Sequence, residues 1–213
     1  MPISKENLLL WLKNCAAILT ENRDFLVELD AAIGDADHGI NMERGFKAVL
    51  SKLPEIADRD IGTIFKTVGM TLISTVGGAS GPLYGTFFLQ AGTKLIGKQE
   101  LNLADWVSAL DAAIQGVSLR GKAQAGDKTM LDALIPTLAA LQKALEEKLP
   151  LSDALQKATL AAEQGMRATI PMQAHKGRAS YLGERSIGHQ DPGATSSYLI
   201  LKTASDTWKD IPA

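Results

Sequence analysis

Three aspartates, Asp30, Asp35 and Asp37, fall within eight residues in the run Asp30-Ala-Ala-Ile-Gly-Asp35-Ala-Asp37-His38-Gly-Ile-Asn41. Carboxylates gathered this closely repel one another unless a cation neutralises them. An all-oxygen donor set suits a hard cation, Mg²⁺ or Ca²⁺, rather than zinc. On a helix Asp35 and Asp37 would project about 200° apart. They converge only on extended or looped backbone, which Gly34 and Gly39 permit. His38 and Asn41 follow where a helix begins, and the free N–H groups of a helix start attract anions. Mg²⁺ commonly completes its coordination with phosphate oxygens. Taken alone, the loop fits a solvated polar turn with an aspartate N-cap equally well.

Three later segments carry glycine together with polar groups. Val76-Gly-Gly-Ala79-Ser80-Gly-Pro82 reads as a turn between two helices, with Ser80 as a cap and Pro82 in the first turn. Small residues and outward-facing amides make it a candidate phosphate cradle. It is neither a Walker A loop nor a Gly-x-Gly-x-x-Gly turn. Gly121-Lys-Ala-Gln-Ala-Gly126-Asp-Lys-Thr129-Met130 adds cations and a cap at Asp127 or Thr129. The run from Lys176 to Gly193 holds Arg178 and Arg185, either of which could grip a phosphate through its guanidinium fork, and ends in a helix start at Asp191-Pro192-Gly193. Each segment alone is also explained as an ordinary surface loop.

The elements that must position these groups read as helical almost throughout. Apolar residues recur at helical spacing from Leu8 to Leu19 after a cap at Ser4, and Phe25, Leu26 and Leu29 form a short second set after Asn22. A third helix runs from about Ile40 to Leu53, where Pro54 stops it. Asp60 caps a fourth, ending at Gly77-Gly78. A fifth extends from Ser80 to about Gly97, a sixth from Leu103 to about Leu119 and a seventh from Met130 to Leu145. Ser152 caps an eighth, to about Ala168, and Asp191 caps the last, with Pro192 at its first position. Strand signals are poor. The fold class expected is all-α, a bundle of about eight helices in one domain, residues 1–213. Arg120–Lys128 and Gln173–Gln190 remain as irregular stretches, and long loops in a compact domain are often functional.

Composition closes off several alternatives. The net charge is −2 with no basic run, so no nucleic-acid footprint is present. No apolar stretch approaches the ~18 residues of a membrane span, and no signal core opens the chain; a cytoplasmic location is expected. Cys15 is the single cysteine, reads as a small buried hydrophobe and excludes an intrachain disulfide. Trp11, Trp106 and Trp208 read as core or interface anchors. Met42, Met70, Met130 and Met166 read as packing, and His175 and His189 as isolated residues of structural rather than catalytic use.

Taken in order, the acidic loop, Gly77–Pro82, Gly126–Thr129 and Gly177–Gly193 resemble the L subunits of bacterial dihydroxyacetone kinases over nearly the whole chain. That resemblance implies a barrel of eight antiparallel helices with a nucleotide at one rim, and two Mg²⁺ ions held by Asp30, Asp35 and Asp37. It implies nucleotide contacts from His38, Gly39, Ile40, Asn41, Ala79, Ser80, Gly121, Met130, Arg178, Asp191, Pro192 and Gly193. The length, without a fused substrate domain, resembles the phosphotransferase-system type. In that type ADP stays bound as a coenzyme, a phosphohistidine M subunit converts it to ATP, and the phosphoryl group passes to dihydroxyacetone held on a K subunit. The acid and base groups for the acceptor are then expected on the partner, with Arg178 as a phosphate stabiliser here. Two alternatives stay open: the nucleotide domain of an ATP-dependent small-molecule kinase, and a non-enzymatic helical module with a structural metal.

Overall fold

The computed structural model describes residues 2–211. Among them are nine α-helices: α1 Lys5–Glu21, α2 Arg23–Ile33, α3 His38–Ile56, α4 Ile61–Thr75, α5 Ser80–Lys94, α6 Leu103–Gly121, α7 Leu131–Glu146, α8 Leu151–Ala168 and α9 Pro192–Trp208. A 3-10 helix, Arg178–Ser186, lies in the longer irregular stretch, where the sequence reading has only a loop. A two-residue antiparallel bridge pairs β1, Ile3–Ser4, with β2, Glu100–Leu101.

Local signals explain most boundaries. Ser4 caps α1 by accepting from the Asn7 amide, Asp60 caps α4 through Thr63, and Asp191 caps α9 through Ala194. Asn102 and Asp105 form a reciprocal capping box at α6. Four expectations need correction. Pro54 does not stop α3, which continues to Ile56; only one intrahelical donor is lost at that position, and it falls in the last turn. Ser152 is not the cap of α8, since Pro150 holds that position in extended backbone. Ser80 is the first helical residue of α5 rather than its cap, and its hydroxyl is directed elsewhere. Met70 is 59% exposed rather than part of the core.

Neighbouring helices close a ring. Passing around it, α1 packs on α3, then α4, α5, α6, α7, α8 and α9 follow, and α9 returns to α1. This is the all-α barrel of eight, with α2 set against α3, α9 and the 3-10 helix at one end. Trp11 sits in the centre, its ring 5.4–6.1 Å from those of Phe65, Phe88, Trp106 and Trp208. The indole N–H groups of Trp11 and Trp208 each find a backbone carbonyl, Ile200 and Asn7. Between Phe88 and Leu134 the interior leaves about 10 Å³, room for a water at most. Close approach of α4 and α5 is set by Gly69, where an added Cβ would come within 2.7 Å of the Gly85 carbonyl oxygen.

Candidate nucleotide and metal site

At one end of the ring the starts of α3, α5, α7 and α9 surround a cavity of about 410 Å³. The last turns of α2 and α6 and the beginning of the 3-10 helix complete its wall. Four helix starts around one space concentrate unpaired N–H groups and partial positive charge on whatever fills it. Arg120, Lys128, Lys176 and Arg178 add cationic side chains to the same wall.

The three loop aspartates meet there. Oxygens of Asp30, Asp35 and Asp37 all lie within 4.8 Å of one another, Asp30 buried and Asp35 exposed. The convergence comes from Ala36, which sits at φ 61, in the left-handed region. Gly34, at φ −141 and ψ −135, turns the chain out of α2 and also leaves space, since a Cβ there would fall 2.0 Å from Asp30 Oδ1. Asp30 shapes the loop as well as lining the cavity: its Oδ2 accepts from the Asp37 and His38 amides at 2.9 and 3.1 Å. Asp35 pairs with Arg178 at 3.0 Å across the cavity. A close, all-oxygen set beside a cradle that a Cβ would block fits a small hard cation.

His38 is buried, and burial drives its imidazole down to about 4 against the pull of Asp30 and Asp37. The ring is therefore neutral. Its Nδ1 lies 3.1 Å from Ser80 Oγ and its Nε2 2.8 Å from Ser196 Oγ. Ser196 Oγ in turn lies 2.7 Å from the Tyr84 hydroxyl, which also reaches Ser197 Oγ and the Gly193 carbonyl. Burial pushes Asp191 up to about 7, with its cap bond to Ala194 opposing and nearby Asp132 assisting.

The loop before α7 is built by its own side chains. Asp132 accepts from the Gly126 and Thr129 amides at 2.6 and 2.7 Å, and Asp127 from Gln124. Lys128 is 1% exposed, and its ammonium donates to the carbonyls of Met172 and Ser186 at 3.0 and 2.6 Å. The α7 loop is thereby tied to the segment that carries Arg178.

Of the residues expected at the site, Asp30, Asp35, Asp37, His38, Ala79, Ser80, Gly121, Met130, Arg178, Asp191, Pro192 and Gly193 all line the cavity. Gly39, Ile40 and Asn41 do not. Gly39 faces the backbone of α2, where a Cβ would fall 2.0 Å from the Arg23 carbonyl oxygen. Ile40 is 41% exposed, and the Asn41 carboxamide oxygen accepts from Arg44 at 2.7 Å. Tyr84, Ser196 and Lys128 are the polar residues that sequence reasoning left without a role. They become visible only when positions about 110 and 58 apart in sequence are brought together.

Comparison with known proteins agrees with this geometry. Residues 32–206 match the DAK2 domain. The chain is 50% identical, over 95% of its length and 96% of the relative's, to the PEP-dependent dihydroxyacetone kinase ADP-binding subunit DhaL of Escherichia coli (strain K12). It is 42% identical to the PTS-dependent dihydroxyacetone kinase ADP-binding subunit DhaL of Lactococcus lactis subsp. lactis, over 91% of this chain and 92% of that one. The dihydroxyacetone kinase from C. freundii, solved in complex with AMP-PNP and Mg²⁺, superposes with a TM-score of 0.70 at 27% identity. That alignment covers 97% of this chain and 34% of the longer one. The chain belongs to the DAK2 domain family, among whose members the ADP-binding subunits of dihydroxyacetone kinases are its relatives.

Proposed function

We propose that this chain is the ADP-binding subunit of a phosphotransferase-system-dependent dihydroxyacetone kinase, acting as a single cytoplasmic helical domain. Tightly bound ADP, with two Mg²⁺ ions, serves as its coenzyme. A phosphohistidine-carrying M subunit converts that ADP to ATP, and the phosphoryl group passes to dihydroxyacetone on a K subunit, giving dihydroxyacetone phosphate. The observation that carries this reading is the carboxylate triad set among four helix starts in one cavity. Full-length similarity to ADP-binding subunits supports the same nucleotide.

Asp30, Asp35 and Asp37 would hold the metal, which would supply positive charge to neutralise the phosphates during transfer. The chain's own residues do the rest. Ala79, Ser80 and the amides at the start of α5 cradle phosphate, and Pro192 and Gly193 bring the start of α9 against it. Gly121 and Met130 wall the remaining side, and Arg178 offers a guanidinium to a phosphate oxygen. Phosphoryl transfer asks mainly for positioning and charge neutralisation, and no general base is assigned in this chain.

The test is phosphoryl uptake. The purified chain, supplied with Mg²⁺ and ADP, should form ATP when mixed with a phosphohistidine carrier and pass it on only when a dihydroxyacetone-binding subunit is added. Rapid turnover with free ATP and no carrier would favour the ATP-dependent kinase reading instead. Loss of stability in Asp35→Asn without loss of transfer would favour a structural metal.

A further inference from the structure

We propose that the ring of Tyr181 and the unpaired cations about the cavity mouth form the docking surface for the phosphohistidine carrier, a reading that rests on the function proposed above. Among the described residues Tyr181 is the most exposed large apolar side chain, at 87%. One exposed tyrosine is ordinary on a surface, but its support is not. Ala179 and Leu182, on either side of it, pack inward with Ile33 and Ala174. The Ser186 hydroxyl donates to the Gly183 carbonyl and accepts from the Ala174 amide, and Lys128 holds the Ser186 carbonyl. The ring therefore projects from backbone that is fixed on both sides. A rigid aromatic held in this way loses little conformational freedom when a partner covers it. Residues three apart in a 3-10 helix eclipse one another, so Tyr181 shares the face of Arg178, which lines the cavity.

The charges about the mouth are mostly of one sign. Arg120 and Lys176 line the cavity. Lys122 follows Gly121 at the end of α6, and Arg185 lies in the 3-10 helix; neither is part of the cavity wall. Among the described residues none of these four forms an ion pair, although Glu184 adjoins Arg185 in sequence. Elsewhere Lys47, Lys52, Arg167 and Lys202 each pair with a carboxylate three or four positions away on their own helix. The chain as a whole carries a net charge of −2, so the local excess of cations does not follow from composition. Arg120 and Lys176 face whatever fills the cavity. Tyr181 and Lys122 are not part of its wall, and a nucleotide inside it does not account for them.

Of the two partners in the proposed reaction, the carrier matches this surface. It brings an anionic phosphoryl group that must pass between these cations, whereas dihydroxyacetone is uncharged. Cations at a rim steer such an encounter, and a central aromatic anchor holds it.

Uptake is measured alone. Phosphorylated carrier in excess is mixed with the full chain loaded with Mg–ADP, without the dihydroxyacetone-binding subunit, and the rate of ATP formation is followed against carrier concentration. Tyr181→Ala should raise the half-saturating carrier concentration about tenfold or more, as loss of an interface anchor does. Lys122→Glu should raise it several-fold in dilute buffer, with the gap from wild type narrowing as potassium chloride is added. In both variants the limiting rate and the calorimetric affinity for Mg–ADP should stay within about twofold of wild type, the pattern of lost binding rather than lost chemistry. A half-saturating concentration in Tyr181→Ala equal to that of wild type overturns the proposal, including when the loss appears instead in onward transfer to the dihydroxyacetone-binding subunit. A weaker Mg–ADP affinity with carrier dependence unchanged would place Tyr181 in the nucleotide site and also overturns it. Wild-type chain that takes no phosphoryl group from the carrier defeats the functional reading itself.

Discussion

Asp30 and Asp35 differ in what their carboxylates already do. Asp30 is buried and accepts two backbone amides, so Asp30→Ala leaves both N–H groups unpaired and should cost about 1–3 kcal/mol of unfolding free energy. Asp35 is exposed and pairs only with Arg178, so Asp35→Asn should leave stability within about 0.5 kcal/mol of wild type. Both should abolish Mg²⁺-dependent nucleotide binding. Denaturant melts beside calorimetric titrations would separate the two effects, and equal stability losses would contradict this division of labour. Gly34→Ala tests the cradle: its Cβ would sit 2.0 Å from Asp30 Oδ1. Magnesium-dependent ADP affinity should fall at least about tenfold, because the displaced carboxylate is one of the three proposed to hold the metal and overpacking of this kind is costly. Wild-type affinity in that variant would show that Asp30 does not serve the metal. The sequence placed the aspartates in one loop but not the cause of their convergence, since a left-handed alanine at position 36 carries no compositional mark.

At the scale of elements, helix starts do the gathering. Caps at Ser4, Asp60 and Asp191 were legible because each is a local contact between a side chain and the third amide that follows. The 3-10 helix Arg178–Ser186 was not, because its support comes from outside. Lys128 holds the carbonyls of Met172 and Ser186, while the Ser186 hydroxyl accepts from the Ala174 amide. Lys128→Met keeps the volume and removes the ammonium. Amide hydrogen exchange over residues 172–188 should accelerate about tenfold or more while the core helices stay protected, and ADP affinity should weaken with it. Unchanged exchange in that segment would mean that the lysine does not anchor the Arg178 arm. Gly39, Ile40 and Asn41 stand apart from the other expected contacts in the way they face. They share a turn with His38, yet helical geometry points them at α2, at solvent and at Arg44.

On the whole-molecule scale, an all-α bundle of about eight helices was readable from helical periodicity and the scarcity of strand signals, and its closure as a barrel only from the family resemblance; the three tryptophans read as core or interface anchors are buried around one point. The closure of α1 on α9 leaves no local mark, because the Trp11 and Trp208 bonds that join them span 189 and 201 residues. The ring also buries Asp191, which sets a pH dependence. Its folded-state value is raised to about 7 from 3.8, so the fold favours the protonated form. That contribution is fully present below the unfolded value and is lost as pH rises through about 7. In nucleotide-free, metal-free protein the Tm of wild type relative to Asp191→Asn, which retains a capping side chain, should fall between pH 5 and pH 8. A constant difference across that range would refute the assignment. The central claim is a resident magnesium–ADP at the rim. It is tested most directly by acid extraction of chain purified in magnesium buffer through gel filtration, with the released nucleotide identified and counted by mass analysis. About one ADP per chain should be released, lost on chelation of magnesium and absent in Asp35→Asn. Protein that emerges without nucleotide, and that takes up none from added Mg–ADP, would contradict it.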